Sequence, residues 1–513
     1  MLLLWWWLVL LLCGCVDRTE RLEGYLYCRI GANPTTLDPA YVVDVLGGMI
    51  AAKLYNGLVR LDDDLQVAPD IARQWRVSDD GLTYTFVLRE DVVFHNDKRL
   101  TADDVVYSFR RIMSPQTHSP NAWMFKNVAD VKVAQTGTIE ITLKRPFAPF
   151  LKLLTMPAAY IVSEAEVERF GKDFGLHPVG TGPFALSRWE PDNDVVLKKN
   201  GLYFDPPAKI NGIVYRIIPE DITSVTEFLT GNLDILGVPA SAYAMFAKDA
   251  HYAGLIAHSS GLNTFYLGLN NSRGPLDNPN LRKAIACAID RRKILQRYLQ
   301  GQGRYATSAV PSVLSAAAPY GGLKGYAVAD YYPYDPDRAL AFLRASGIAG
   351  SVKLRFYVSA IQESIDIAEI IAYYLRQVGI GVEIRILEWS AYKVAINNGE
   401  PDMFWLSWWA DYPDAENFLY PMFHSSNLGA GGNRIRYINP QVDALIEQAR
   451  RTLADSEREA IYKRVEDAVV TDAAAVFFWH RNDYIVRQPW IRGLHLYPIY
   501  NMDKATGIEK VKR

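Results

Sequence analysis

The hydrophobic pattern along the chain changes period several times, which predicts a mixture of strands and helices. Residues 83–88 and 139–143 alternate polar and apolar side chains, as half-buried strands do. Residues 105–112 instead carry an apolar stripe at helical spacing. Thr101 precedes this stripe and Asp104 follows three positions later, so the two residues are expected to cap a helix. The alternation of periods predicts an α/β fold.

The second half of the chain continues in the same manner. A strand at 352–358, a helix at 365–378 and a strand at 382–387 follow one another, an order that predicts a parallel strand pair. A helix is predicted before this unit at 281–298, and an apolar strand after it at 475–479.

A change in amino-acid composition separates these two halves. Residues 271–279 are polar and contain Pro and Gly, as connections between domains often do. We therefore predict two mixed α/β lobes that meet near residue 275, with the stretch after 490 returning to the first lobe. A cleft between two lobes is a common place for a small ligand.

The first residues form a targeting segment. Residues 1–12 are almost wholly apolar but too few to cross a bilayer, which takes about 20 residues. They end in Leu12-Cys13-Gly14-Cys15, which resembles a bacterial lipobox. We expect a lipoprotein signal peptide at 1–15, lipidation of Cys15, and an exported protein tethered to a membrane on the periplasmic or cell-surface side. A cleaved signal without lipid and a buried first strand are the alternatives.

Composition excludes some functions. The chain has 513 residues, a net charge of −2 and no dense cluster of Lys and Arg, which argues against a nucleic-acid partner. Its length predicts two or three domains. The two cysteines beyond the targeting segment are Cys28 and Cys287. An exported compartment permits a disulfide, but two small buried thiols are the favoured interpretation.

The most distinctive chemistry lies at residues 408–414, Trp-Trp-Ala-Asp-Tyr-Pro-Asp. Asp411 stands among aromatic and proline rings directly after an apolar run, so its carboxylate is expected to be partly desolvated. Such a carboxylate favours a cation, and aromatic faces do so too. A free α-amino group fits this description. The alternative is that Asp411 only shapes a turn before Pro413.

An enzyme is the competing class of function. Ser390 and Lys393 match a Ser-x-x-Lys nucleophile pattern, but its partner motifs are absent from the sequence. The histidines make no metal-spaced pair, and only His424 is retained as a pocket-lining candidate. We expect no catalysis, no cofactor and no metal site.

An ordered series of short motifs supports a family assignment. The chain resembles the extracellular solute-binding proteins of family 5, the peptide-binding components of ABC importers, and within them the oligopeptide-binding type. The motifs span nearly the whole mature chain in order, which chance matches do not. They are Thr36-Leu37-Asp38-Pro39, Leu54-Tyr55-Asn56-Gly57-Leu58, Leu82 to Phe86, Leu100 to Ser108, Gly180-Thr181-Gly182-Pro183-Phe184, Leu281 to Ile285, Tyr334-Asp335-Pro336, Glu388-Trp389 and Trp408 to Tyr412.

The resemblance implies a periplasmic-binding-protein-like fold of type II. This fold has two lobes and three domains, mixed sheets flanked by helices, and a cleft that closes about a hinge, expected here near Asn270 and Pro489. The implied boundaries are 24–58, 178–272 and 491–513 for domain I, 59–177 for domain II and 273–490 for domain III.

The resemblance also implies roles for individual residues. Asp411 occupies the position that pairs with the α-ammonium of a bound peptide. Trp408 and Trp389 match positions that line side-chain pockets, and Tyr412 is a further candidate; ordinary core packing is the alternative for these rings. Val43, Asp44 and Val45 lie where an extended run pairs with the ligand backbone.

Some expected features are missing. Cations that would receive a peptide carboxylate are not evident, and Ile396 and Trp405 stand near the expected positions. Ligand length therefore stays open, and apolar pockets are expected. The implied partners are a peptide, ABC permease subunits and, through lipid, a membrane, with the protein itself a monomer. A non-peptide solute, or a peptide sensor or chaperone without a transporter, remains an alternative.

Overall fold

The computed structural model describes residues 21–311, 313–314, 329–348 and 350–512. The expectation of a mixed α/β protein is confirmed, since sheets and helices alternate throughout this part of the chain. The apolar first segment and Cys15 lie outside the described residues, so export and lipidation stay predictions.

The strands of the described chain are numbered in sequence order: β1 Tyr25–Ile30, β2 Val59–Leu61, β3 Val67–Pro69, β4 Ala72–Val77, β5 Thr83–Leu88, β6 Val128–Gln135, β7 Thr138–Leu143, β8 Phe184–Glu190, β9 Asp194–Lys199, β10 Gly212–Ile217, β11 Ile235–Gly237, β12 Ile256–Ser260, β13 Asn263–Leu269, β14 Gly303–Tyr305, β15 Val352–Ser359, β16 Ile380–Leu387, β17 Met403–Trp409, β18 Ala475–Arg487, β19 Ile491–Arg492 and β20 Glu509–Lys510.

The α-helices are numbered in the same way: α1 Val45–Leu54, α2 Ala102–Met113, α3 Phe150–Leu153, α4 Glu164–Phe170, α5 Asp221–Leu229, α6 Ala240–Lys248, α7 Pro279–Ala288, α8 Arg291–Arg297, α9 Pro336–Ala345, α10 Gln362–Gln377, α11 Trp389–Asn398, α12 Glu416–Phe423, α13 Pro440–Arg451 and α14 Asp455–Thr471. Among the described residues, no helix is long and apolar enough to cross a membrane.

A large mixed sheet forms the centre of the molecule. Its strands run in the order β16-β15-β17-β13-β18-β11-β1-β10-β9-β8, and β12 and β14 also pair with β18. Strands β15 and β16 pair in parallel with α10 between them. The predicted β-α-β unit is therefore confirmed, and it places β17 beside β15 in the same sheet.

A smaller antiparallel sheet, β4-β5-β7-β6, packs against helix α2. Thr101 caps this helix, because its side chain and that of Asp104 satisfy each other's backbone N–H groups, as the sequence predicts. The apolar stripe of the helix, including Phe109, is buried against the sheet. This body lies within the expected domain II, whose boundaries stay predictions.

Strand β18 belongs to both halves of the central sheet. Its first residues pair with β13 and β14, and its last residues pair with β11 and β12. At the crossing, the Asn263 side chain accepts a hydrogen bond from the Arg481 backbone N–H at 2.7 Å and donates one to the Arg481 carbonyl at 3.0 Å. The His480 ring also bonds the Asn263 carbonyl at 2.7 Å. The two residues at this crossing, Asn263 and Arg481, each lie a few positions before an expected hinge point, Asn270 or Pro489.

Two predicted elements differ from the structure. The helix expected over 281–298 is two helices, α7 and α8, because Asp290 leaves the helical path and accepts a hydrogen bond from the Lys293 N–H at 2.9 Å. The strand expected over 475–479 continues to Arg487, since its polar second part pairs with the other half of the sheet.

The two cysteines of the described chain are free thiols, as expected, but only one of them is fully buried. Cys28 lies in β1 and is partly buried, while Cys287 lies in α7 and is fully buried. Burial raises the pKa of Cys287 to about 11 and raises that of Cys28 as well. Neither thiol is therefore poised for reaction at neutral pH.

Candidate ligand-binding site

A cavity of about 800 Å³ lies between the region of the small sheet and the segment that follows β17. Its volume falls in the range of small-molecule sites. One wall includes Trp123, Lys126, Lys144, Arg145, Phe147 and Leu153. The facing wall includes Trp408, Asp411, Tyr412, Asn417, Tyr420 and Arg450.

Asp411 reaches this cavity because the chain turns sharply at the end of β17. The Ala410 N–H still bonds the Leu262 carbonyl at 2.8 Å, so the sheet holds the segment up to that point. Asn417, from the first turn of α12, then accepts a hydrogen bond from the Asp411 N–H at 2.8 Å. The Asn417 amide also approaches an Asp411 carboxylate oxygen at 3.4 Å. The carboxylate is thus held from one side and left open toward the cavity.

The environment of Asp411 favours a cation. Burial raises the pKa of this carboxyl group, and the Asn417 hydrogen bond only partly opposes that effect. Among the described residues, no Lys, Arg or His makes an ion pair with Asp411. A desolvated carboxylate of this kind gains free energy when an ammonium group binds it.

The structure brings Trp408 into the same cavity as Asp411. Its indole N–H donates to the Asn417 carbonyl at 2.7 Å, which fixes the ring beside the acid. Asn417 therefore positions both residues. Sequence reasoning missed Asn417; its place in the first turn of the helix that follows Pro413-Asp414, where a short amide can bond a nearby backbone N–H, was the available signal.

Tyr412 lines the cavity but is almost completely buried. Its ring joins a hydrophobic cluster whose other members come from residues 40–161, so it crosses to the body of the small sheet. Its hydroxyl donates to Glu416, which forms an ion pair with the guanidinium of Arg450 at 2.9 Å. Tyr412 joins the two walls of the cavity.

A second contact joins the same two regions. The Lys152 ammonium donates to the Pro413 carbonyl at 2.8 Å and lies 3.3 Å from the Asp414 carboxylate. Arg458 approaches Asp414 at 3.7 Å. Burial alone would raise the pKa of Asp414, but the two cations outweigh it and hold that pKa below its usual range. The acid is therefore an ionised partner at the interface.

The backbone-pairing segment predicted at Val43–Val45 is only partly extended. Asp44 has extended backbone angles and caps α1, whereas Val45 is the first residue of that helix. Both valines are exposed. Burial raises the pKa of Tyr500, and the charges of Asp411 and Asp44 raise it further, so both carboxylates lie near this phenol. The segment does not line the cavity itself.

Trp389 lies apart from this group. It begins α11, is 44% exposed, and has the Lys393 ammonium 5.4 Å from its ring centroid. It is not among the residues that line the cavity. His424 also lies outside the lining, but its ring is 3.8 Å from Glu447, which does line it.

The wall opposite Asp411 carries three cations among apolar side chains such as Phe147 and Leu153, and none of the three lies in sequence near Ile396 and Trp405. Those two residues are buried in the core and do not line the cavity. Lys126, Lys144 and Arg145 do line it, and all three are exposed. They come together because they flank the open end of the β6–β7 hairpin. The hairpin pattern was a signal by which sequence reasoning could have found them.

Comparisons with known proteins agree with one another. Residues 66–430 match the family described as bacterial extracellular solute-binding proteins, family 5 Middle. The chain is 30% identical, over 86% of either sequence, to the glutathione-binding protein GsiB of Salmonella typhi.

Solved structures are similar over almost the whole chain. The DppA protein of Helicobacter pylori, an ABC transporter-associated periplasmic binding protein in complex with the peptide STSA, is 26% identical with a TM-score of 0.79. That match covers 95% of this chain and 98% of the other. HbpA2 from Haemophilus parasuis is 26% identical with a TM-score of 0.83, over 95% and 100% of the two chains.

Proposed function

Because the chain belongs to family 5 of the bacterial extracellular solute-binding proteins, we propose that it is the peptide-capturing receptor of an ABC importer. In this proposal Asp411 binds the free amino end of the ligand, Trp408 packs beside that end, and the segment at Val43–Asp44 pairs with the ligand backbone. The protein binds and releases its ligand without chemical change.

The observation that carries the proposal is the state of Asp411. A carboxylate that is held by Asn417, desolvated, and open to a cavity of about 800 Å³ is suited to an ammonium group. A role in shaping the turn alone would not require the acid to face the cavity. The relatives named for glutathione and for a bound peptide support a ligand of this size and chemistry.

Closure of two lobes around the ligand is the second part of the proposal. Tyr412 and Asp414 follow Asp411, the proposed amine anchor, in the chain. Both are buried against the region of the small sheet. Ligand binding at Asp411 and closure through its neighbours would therefore reinforce each other. The sequence suggests a hinge near Asn270 and Pro489; we place it instead at the β12–β13 connection and the middle of β18, where the chain passes between the two halves of the central sheet.

The remaining part concerns location and partners. We propose that residues 1–15 direct export, that a lipid on Cys15 tethers the protein, and that the closed monomer docks on permease subunits. Metabolic labelling with a fatty acid tests the tether: label should be present in the native chain and absent from Cys15→Ala.

Calorimetric titration of the purified protein tests the ligand class. Any ligand carried through purification is first removed by unfolding and refolding. The protein is then titrated with peptides of three to five residues and with N-acetylated twins. Binding of the free-amine peptides alone supports the proposal. Equal binding of both forms would retain a peptide receptor but remove the amine anchor, and binding of neither would indicate a non-peptide solute.

A further inference from the structure

The cavity holds a second charged feature that the amine anchor does not use. Resting on the proposed function, we propose that Lys126, Lys144 and Arg145 form a subsite for a carboxylate near the amino end of the ligand. The preferred ligand is then a peptide whose first residue carries both a free ammonium and a free carboxylate.

Pairing of the charges in the cavity supports this assignment. Of the acids that line it, Glu416 and Glu447 both form ion pairs with Arg450, at 2.9 Å in each case. Arg451 approaches Glu447 at 3.8 Å. These four groups neutralise one another within one wall, which leaves Asp411 as the acid available to a ligand.

The opposite wall carries the unmatched charge. Within the described chain, no carboxylate lies at ion-pair distance from Lys126, Lys144 or Arg145. The Lys144 ammonium donates to the Lys126 carbonyl at 2.8 Å, which holds one cation at the hairpin end. Three neighbouring cations without an acidic partner repel one another, so an anion placed among them is stabilised.

The chemistry of the anion follows from the position of these cations. Lysine and arginine both bind carboxylates, and arginine can do so through two parallel hydrogen bonds. Because they line the same cavity as Asp411, a small ligand whose ammonium binds Asp411 can also present a carboxylate to them. An acidic side chain on the first residue satisfies this condition. So does a γ-linked glutamyl residue, whose α-carboxylate stays free beside its α-ammonium.

A series of matched tripeptides distinguishes these sources. Calorimetry with the full protein in mild detergent compares Glu-Ala-Ala, its γ-linked isomer γ-Glu-Ala-Ala, and Gln-Ala-Ala, which has the same shape without the carboxylate. We expect at least one acidic peptide to bind about tenfold or more tightly than Gln-Ala-Ala, the scale of a hydrogen bond to a charged group. The stronger of the two isomers identifies the source of the carboxylate.

Protein variants assign the effect to these residues. Lys126→Gln with Arg145→Gln should abolish the preference for the acidic peptide over Gln-Ala-Ala. Arg73→Gln with Lys209→Gln removes the same charge from exposed positions outside the cavity and should preserve the preference. Exposed side chains are replaced in both variants, and thermal unfolding checks that each variant is folded.

The outcomes separate the two proposals. Equal binding of all three peptides, with loss of binding on N-acetylation, would overturn the carboxylate subsite and leave the amine anchor intact. A preference that survives in the Lys126 and Arg145 variant would also overturn it. If none of the peptides binds, the proposed function fails and the subsite fails with it.

Discussion

Replacing Asp411 with asparagine tests the centre of the proposed mechanism. The substitution preserves the shape of the side chain and an oxygen that can accept from Asn417, but it removes the negative charge. A ligand ammonium would then lie in a desolvated site without its counter-ion. We expect peptides with a free amino end to bind more weakly, with little change in protein stability.

The expected loss of binding free energy follows from the burial of the site. Truncating one partner of a buried, hydrogen-bonded charge pair costs about 2–5 kcal/mol. Asp411 retains part of its surface open to the cavity, so solvent screens the pair to some extent and the lower part of that range applies. A loss of about 2–3 kcal/mol corresponds to binding that is weaker by roughly 30- to 150-fold.

A double-mutant cycle isolates the interaction. Wild-type protein and Asp411→Asn are each titrated with a free-amine peptide and with its N-acetylated twin, and the coupling free energy is taken from the four values. The pH dependence gives a second reading. Because burial raises the pKa of Asp411 in the free protein, affinity should be complete above that pKa and fall as pH decreases through it. Asp411→Asn should remove this dependence.

The reasoning is refuted by a coupling free energy near zero. That result would mean that Asp411 and the amino end do not interact, even if both changes weakened binding separately. Equal affinity of Asp411→Asn and wild type for free-amine peptides would lead to the same conclusion and would return Asp411 to a role in the turn before Pro413.

Three further changes probe the framework of the site. Lys152→Met should lower the free energy of unfolding by about 3 kcal/mol in urea, because it removes one partner of buried Asp414 while Arg458 stays nearby. Burial lowers the pKa of His480 to about 4, so the unfolded chain binds more protons between about pH 6.5 and 4. Stability should fall by up to about 3 kcal/mol as pH decreases through that window. Gly180→Ala should cost about 1–3 kcal/mol in thermal unfolding, since its Cβ would lie 2.1 Å from the last carbonyl oxygen of α1.

Each of these changes has a matched control. Lys132→Met breaks an exposed ion pair and should leave stability near that of wild type. His480→Gln should flatten the pH dependence if the imidazole is its source. Gly201→Ala adds a Cβ in open space, so a loss of stability there as large as at Gly180 would contradict the steric argument.

Local patterns were sufficient for much of the fold. The β-α-β unit over 352–387 and the Thr101 cap were predicted because each depends on residues close together in the chain. The family was assigned from motif order, and the family match over residues 66–430 confirms it. The break in the helix at Asp290 was missed, because the apolar pattern continues through it although the backbone does not.

The site was harder to predict because it depends on contacts between distant segments. The type and position of Asp411 indicated an acid among rings, but nothing near it in sequence shows that Tyr412 is buried against residues 40–161. The cations at 126 and 144–145 come from another part of the chain, so examination of positions near Ile396 could not find them. Asn417 was missed because its amide side chain has neither the charge nor the aromatic ring by which the other candidates were recognised.

The shared strand β18 limits which insertions and deletions this protein can accept during evolution. A surface loop can gain or lose residues with little effect, since its neighbours do not depend on its length. One residue inserted into β18 would instead turn the side chains of a whole half of the strand to the opposite face of the sheet. The mutual orientation of the two halves is thus set by the register of a single segment, and each half can diversify freely only where it does not touch that segment.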